Sequence, residues 1–350
     1  VWAKLKVKSL KDMQKEPHFF PDHKEKLLKE LGKERLVESL RKMLCIRNFE
    51  IRSESAYQHG YIGGFFHAYT GQEAIQTSCV DLLGQAPWYL TTYRCHALAL
   101  LLGVTPKEAM AELYGKVTGN AKGRGGSMHL YADRLLGGFG IVGGHVPLAI
   151  GAAFSLKYQK KKSLAVCFLG DGAVVQGAVH ESLNLASLWD LPCIFVIENN
   201  KWGMGTAVER AVSLSPIAES LAPPYGLKGY SVDGMNYFSC YSCFKAASEE
   251  VLETNRPVII EAFTERFKGH SISDPGLYRS KECLKKILEN DPIIYLFQVL
   301  QEAGYLTQDE YERINKEEKD KAIEAMKFAE ESPYPDVMTL EEGVMYPWKS

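Results

Sequence analysis

The stretch from Gly170 to Asn200, GDGAVVQGAVHESLNLASLWDLPCIFVIENN, sets an acid between two glycines at one end and paired asparagines at the other. Just before it, residues 164–169 (LAVCFL) form a short apolar run that reads as a buried strand. That run feeds directly into Gly170-Asp171-Gly172, where glycine permits a tight turn and close approach to a ligand. A helix around VHESLNLASLW follows, Pro192 punctuates, and residues 193–198 (CIFVIE) read as a second strand that ends on Asn199 and Asn200. Strand, helix, strand at this spacing predicts a parallel crossover unit, which brings the carboxyl ends of both strands to one edge of a sheet. Open α/β sheets bind their ligands at that edge.

The crossover carries the Asp171 carboxylate and the Asn200 amide oxygen to one point. Oxygen donors suit a hard divalent cation, and Mg²⁺ takes oxygens at about 2.1 Å while keeping phosphate oxygens and water among its ligands. One carboxylate plus neutral oxygens is too little for an all-protein cage, so the pattern calls for a diphosphate to complete the coordination. A helix expected to begin near Val174 would aim its free N–H groups at the same place, which favours an anion. Taken alone, GDG is a turn and NN a strand end; the crossover that joins them makes the pair specific.

The surrounding chain is compatible with such a sheet. Its 350 residues are 46% hydrophobic and 24% charged, enough to bury a large core. A net charge of −2 and the lack of a Lys/Arg stripe interleaved with aromatics speak against nucleic acid as a partner. No run of about eighteen apolar residues predicts a transmembrane helix, and the N-terminal VWAKLKVKSLKDMQKEPHFF lacks the apolar centre of a secretory signal. Most of the eight cysteines sit among apolar residues and read as reduced core thiols, so a reducing compartment is expected, the cytoplasm of a bacterium or an organelle matrix. Cys240 and Cys243 form a CxxC, but without a second pair or a nearby histidine they read as packing on a helix rather than as a zinc site. The chain begins at Val1, which leaves preceding residues open; Asp12 and Glu16 argue against an intact mitochondrial transit peptide.

Residues 1–32, lysine-rich with Pro17 and Pro21, read as a mobile arm. In residues 33–59, Leu36, Leu40, Met43, Leu44, Ile46 and Phe49 recur at helical spacing and predict an amphipathic helix. A glycine-dense centre runs to Gly151; beyond Asn200 come a helix at SCFKAASEEVLE, a strand at PVIIEAF, and a charge-rich helical region over residues 284–331. The expected fold is α/β, a mainly parallel sheet flanked by helices, with residues 33–350 as one domain.

GDG and NN joined by such a crossover is the pattern of thiamine diphosphate binding. Over residues 33–282 the chain resembles the alpha subunits of the thiamine diphosphate-dependent component of 2-oxo acid dehydrogenases, the pyruvate dehydrogenases most closely. The resemblance implies the thiamine diphosphate-binding fold and a heterotetramer of alpha and beta subunits, two of each, with the cofactor between an alpha and a beta chain. It implies oxidative decarboxylation of pyruvate, with the acetyl group passed to lipoyl groups of an acyltransferase component.

By motif, Asp171, the Asn200 side chain and the Trp202 backbone carbonyl in NNKWGMG would ligate Mg²⁺. Relatives often carry Tyr where Trp202 stands, a change that a main-chain ligand tolerates. Gly172 and Ala173 would approach the diphosphate through their backbone, and Tyr93 and Arg94 in TTYRCH would bind it, Arg94 with a two-pronged grip that Lys cannot imitate. Gly140 and Val142 in GFGIVGG match positions that contact the aminopyrimidine and hold the cofactor bent, a proximity effect that supplies about 7–11 kcal/mol in favourable cases. His67 in GGFFHAYTGQEA and His270 in FKGHSISDPG match the two active-site histidines, with His270 also at the cofactor. They would hold the oxo-acid carboxylate and move protons near neutral pH. Isolated histidines such as His18, His23 and His180 read instead as surface or satisfied core residues.

The loop FKGHSISDPGLYRSKE also resembles the segment phosphorylated in mitochondrial relatives, with Ser271 at the main site. In this family the glutamate that activates the cofactor comes from the beta chain, and no candidate for it is found here, so the chain alone is expected to be inactive. Two other classes compete. GFGIVG, with Gly138, Gly140 and Gly143, matches a dinucleotide-binding loop, but Arg134-Leu135-Leu136 is too short for the required strand and the next acid, Asp171, lies well beyond the roughly twenty positions the motif wants. A non-catalytic scaffold subunit would not keep Asp171, Asn200, Arg94, His67 and His270 together, because buried unpaired charges cost stability. Within the family, acetoin and branched-chain 2-oxo acids are the alternatives to pyruvate; Phe65 and Phe66 suit a small acyl pocket.

Overall fold

Every residue of strand β4 (Cys193–Asn199) is buried, and β3 (Ala165–Gly170) is buried up to its last residue, as a strand covered on both faces must be. The computed structural model, which describes residues 15–342, sets them in a parallel six-stranded sheet. The other members are β1 (Trp88–Thr92), β2 (Leu135–Phe139), β7 (Lys228–Asp233) and β8 (Val258–Phe263), in the order β2-β1-β3-β4-β8-β7. Between β4 and β7, the short strands β5 (Trp202–Gly203) and β6 (Thr206–Ala207) pair as an antiparallel hairpin.

Alternation along the strands builds two cores. Val166, Phe168, Ile194, Val196, Val258 and Ile260 face one layer with Ile75, Cys79, Cys240 and Phe244. Ala165, Cys167, Leu169, Cys193, Phe195 and Ile197 face the other with Ala149, Ala153, Leu183 and Ala186. The first layer holds the helices Glu73–Leu83 and Tyr237–Thr254, and the second holds Val146–Tyr158 and Gly177–Leu188. Truncating one of these strand side chains, such as Phe195→Ala, costs about 3–5 kcal/mol. This is the α/β architecture expected of a thiamine diphosphate-binding fold.

Several boundaries differ from expectation. The first long helix runs Lys24–Gln58, starting before Lys33, because Leu27 and Leu31 are buried against Leu296 and Leu300; Gly32, with φ 71°, breaks the helical period that sequence reading relied on. Residues 1–14 of the expected arm lie outside the described residues. The helix expected near Val174 begins at Gly177, since the chain first makes a 3₁₀ turn over Asp171–Ala173. Arg134-Leu135-Leu136, read as too short for a strand, runs into the edge strand β2 (Leu135–Phe139), and a helix follows it at Val146, so strand context does not count against the GFGIVG loop as a dinucleotide site. Cys240 and Cys243 are free, buried one turn apart on the Tyr237–Thr254 helix, with thiols that burial pushes up, as packing residues should be. Among the described residues no helix is long and apolar enough to cross a membrane.

Candidate active site

Four strands end at one cleft of about 930 Å³. β1 delivers Tyr93 and Arg94, β2 delivers Gly140 and Val142, β3 delivers Asp171, Gly172 and Ala173, and β4 delivers Asn200, with Trp202 on the hairpin just beyond. His67 and His270 arrive on loops, so every site residue expected from sequence lines this one cleft. Phe65 lines it as well, whereas Phe66 does not: its ring is fully buried and stacks on His96 at 5.2 Å.

Asp171 is 2% exposed, and its Oδ2 has no hydrogen-bond partner. Burial pushes its carboxyl up to about 6, against the opposing pull of backbone N–H groups and of Arg266. An anion left short of partners in a dry site is stabilised by a cation. The neighbouring oxygens are of the right kind: the Asn200 carboxamide, whose Oδ1 accepts the Trp202 N–H at 3.4 Å, and the Trp202 carbonyl. Among the described residues no three His, Cys, Asp or Glu side chains gather into a cage, so a metal here would need oxygens from a ligand. The GDG turn packs on the hairpin so closely that a Cβ on Gly172 would lie 3.2 Å from the Gly203 Cα. These residues therefore fit a magnesium diphosphate.

Arg94 is buried, and its position qualifies the expected two-pronged grip. Its Nη1 donates to the Ala68 carbonyl and its Nη2 to the His270 carbonyl, both at 2.6 Å, so it already clamps together the two segments that carry the histidines. Burial and the charge of Arg266 lower its pKa to about 10. Arg266, which sequence reading missed, is 1% exposed and donates to the Trp202 and Met204 carbonyls at 3.3 Å and to the Tyr278 hydroxyl at 2.6 Å. Two buried guanidiniums facing one cleft suit an anion. The signal was present in TERFKGHS, because β8 ends just before Arg266 and in parallel with β4.

His67 and His270 meet edge to face with ring centroids 5.0 Å apart, and Tyr93 lies 4.4 Å from His67. Burial and then the charge of Arg94 lower His67 to about 2 and His270 to about 4, so both rings are neutral imidazoles at pH 7. An anion brought between them and the arginines pulls both upward. The His270 loop is braced: the His270 N–H donates to Asp274 Oδ2 at 2.6 Å, Tyr278 OH donates to the same oxygen at 2.6 Å, and the Ile272 N–H donates to the Phe66 carbonyl at 2.9 Å.

Glu198, Gln72 and His145 also line the cleft and were not singled out from sequence. Burial pushes the Glu198 carboxyl up to about 7, although Tyr69 and Gln76 donate hydrogen bonds to it. Glu198 is the last residue but one of β4, which stands three strands across from β2, the strand that leads into Gly140 and Val142. The remaining acids of the lining, Asp171 and Asp274, follow β3 and β8, so no carboxylate of the lining is carried by the loop after β2 that holds Gly140 and Val142.

The family model described as "Dehydrogenase E1 component" matches residues 41–338 of the chain. The chain is 42% identical over 317 residues to the pyruvate dehydrogenase E1 component subunit alpha of Rickettsia felis, covering 90% of this chain and 95% of that protein. It is 40% identical over 323 residues to the subunit of the same name from Rhizobium meliloti, covering 90% and 91% respectively. To the chloroplastic subunit alpha-3 of Oryza sativa it is 38% identical over 323 residues, covering 89% of this chain and 76% of that one.

Proposed function

On the premise that the chain belongs to the dehydrogenase E1 component family, we propose that it is the alpha subunit of a pyruvate dehydrogenase that uses thiamine diphosphate and Mg²⁺. The reaction is oxidative decarboxylation of pyruvate with transfer of the acetyl group to a lipoyl-bearing acyltransferase. The observation that carries the reading is the unpartnered Oδ2 of Asp171 beside the Asn200 and Trp202 oxygens, at the edge where four strands end. When bound, thiamine diphosphate supplies the carbon nucleophile and the electron sink for the departing carbon dioxide.

This chain's residues hold the cofactor and the substrate. Asp171, Asn200 and the Trp202 carbonyl hold Mg²⁺, while Tyr93, Arg94 and the backbone of Gly172 and Ala173 hold the diphosphate. Gly140 and Val142 receive the aminopyrimidine. His67 and His270 take the pyruvate carboxylate between them; His67 Nδ1, buried and without a partner, accepts or returns a proton there. Phe65 closes a pocket suited to a small acyl group.

The activating glutamate comes from a beta subunit. The lining acids, carried after β3, on β4 and after β8 rather than on the loop of Gly140 and Val142, support this, and so does the face beside them. Ile141, Val142, Leu148, Phe154, Tyr158, Leu188 and Trp189 are exposed along the cleft mouth and its adjoining helices, an apolar strip suited to a partner chain. The complex works in a reducing interior, bacterial or organellar, in keeping with eight free cysteines. The test is carbon dioxide release from pyruvate, 3-methyl-2-oxobutanoate and acetoin-type controls, with co-expressed beta subunit, thiamine diphosphate, Mg²⁺ and an artificial electron acceptor. Turnover of pyruvate only with the partner present is expected; full turnover by the single chain refutes the split site.

A further inference from the structure

Gln72 stands at the N-cap of the helix Glu73–Leu83, yet its side chain makes no bond to that helix's own N–H groups. It is fully buried and turned toward the end of β4, where Asn200 Nδ2 donates to Gln72 Oε1 at 3.2 Å. One turn further along, Gln76 Nε2 donates to Glu198 at 3.1 Å, so the i, i+4 spacing of the helix matches the i, i+2 spacing of the strand end.

We propose that Gln72 is a positioning residue for the cation, turning the Asn200 carboxamide so that its oxygen faces the metal; this rests on the Mg²⁺ reading above. A carboxamide has a donor end and an acceptor end of nearly equal shape, and only the acceptor end can ligate a cation. The Trp202 N–H can only donate, which draws Asn200 Oδ1 to its side of the group; Nδ2 then faces Gln72, which must answer with an oxygen. Gln72 Nε2 has no partner among the described residues, which leaves a donor for an oxygen that arrives with the metal. Outer partners of this kind typically set metal affinity by about 10–100-fold.

The experiment is a calorimetric titration of Mg²⁺ into the assembled alpha–beta protein with saturating thiamine diphosphate, alongside melting of the metal-free forms. Gln72→Met, which keeps length but loses the acceptor, is expected to raise the Mg²⁺ Kd by about 10–100-fold, and Gln72→Glu, which keeps an acceptor, to stay within about threefold of wild type or bind tighter. In an Asn200→Asp background, where either carboxylate atom presents oxygen, Gln72→Met loses its effect. A wild-type Kd in Gln72→Met, equal weakening in Met and Glu variants, or a persistent penalty in the Asn200→Asp background overturns the proposal. If Gln72→Met fails to assemble, Gln72→Glu decides alone: weakening beyond tenfold overturns it. An Asp171→Ala protein that binds Mg²⁺ like wild type overturns the cation site itself, whatever Gln72 does.

Discussion

Glu50 and Asp171 are both buried carboxylates, and they differ in how many partners they have. Glu50 is closed on every side: its Oε1 accepts the Tyr69 N–H and His96 Nδ1–H, both at 3.0 Å. His96 Nε2 lies 2.7 Å from the Ser127 carbonyl, so both ring nitrogens face acceptors and the ring is an imidazolium. Burial opposes that charge, but Glu50 and the Ser127 carbonyl outweigh it and hold the His96 pKa up. Glu112 is similar in kind, accepting N–H bonds from Ala121, Gly123, Gly125 and Gly126. Asp171 has an oxygen with nothing to accept from. A fully partnered buried acid ties chain segments together; one kept short of partners is held ready for something that binds.

The sharpest way to break this contrast is to remove each acid in turn. Asp171→Ala is expected to lower turnover of the assembled enzyme by about 10⁴-fold, since the cation that anchors the diphosphate loses its only charged ligand from this chain and the site no longer holds the group in place. The metal-free protein should melt no lower than wild type at pH 7.5, because the deleted charge had no full set of partners. A large fall in metal-free melting temperature would place Asp171 with Glu50. Glu50→Ala should do the reverse, costing about 3–5 kcal/mol of stability in urea unfolding by stranding the His96 charge, with Mg²⁺ affinity of the folded fraction unchanged. If Glu50→Ala proves neutral to stability, the contrast fails from the other side.

The same contrast explains what the sequence could reveal. Asp171 and Asn200 were legible because one strand–helix–strand unit links them, so local pattern fixed their meeting at a sheet edge. Glu50 with His96, and Gln72 with Asn200, are contacts between segments far apart in sequence, and no spacing rule joins them. β2 escaped for a different reason: LLGGF carries two glycines, which weaken strand propensity, and its pairing with β1 supplies what the residues lack. The early start of the first helix was hidden by Gly32, which tertiary burial of Leu27 and Leu31 overrides.

Acid titration sharpens the comparison at a smaller scale. The folded Asp171 pKa, about 6, stands above the ordinary aspartate value near 3.8. A group raised on folding gives stability that is complete below the lower value and is lost as pH rises through the upper one. The metal-free protein should therefore lose about 2 kcal/mol between pH 4 and pH 6 on this account, and Asp171→Asn should flatten that segment of the stability curve. Saturating Mg²⁺ with thiamine diphosphate should reverse the slope, because below pH 6 protons compete with the cation for the same oxygen. A wild-type curve that Asp171→Asn leaves unaltered would break the reading.

The smallest effect belongs to the loop that carries His270, which lies between the two regimes. Its braces resemble those around Glu50, but the Arg94 bond to the His270 carbonyl belongs to a group that a diphosphate also recruits. Ser271 is 6% exposed, with its Oγ 2.9 Å from Ser273 Oγ, in the lining of the cleft that Arg94 and Arg266 share. A negative charge there competes with the diphosphate for both guanidiniums and repels it directly. Ser271→Glu is expected to weaken thiamine diphosphate binding by about tenfold, some 1.4 kcal/mol, read from quenching of the cleft's Trp202, while Ser271→Ala binds as wild type. Equal affinity in the Glu and wild-type proteins would mean that the loop's braces, like those of Glu50, are structural alone, and phosphorylation at Ser271 would then have no electrostatic route to the site.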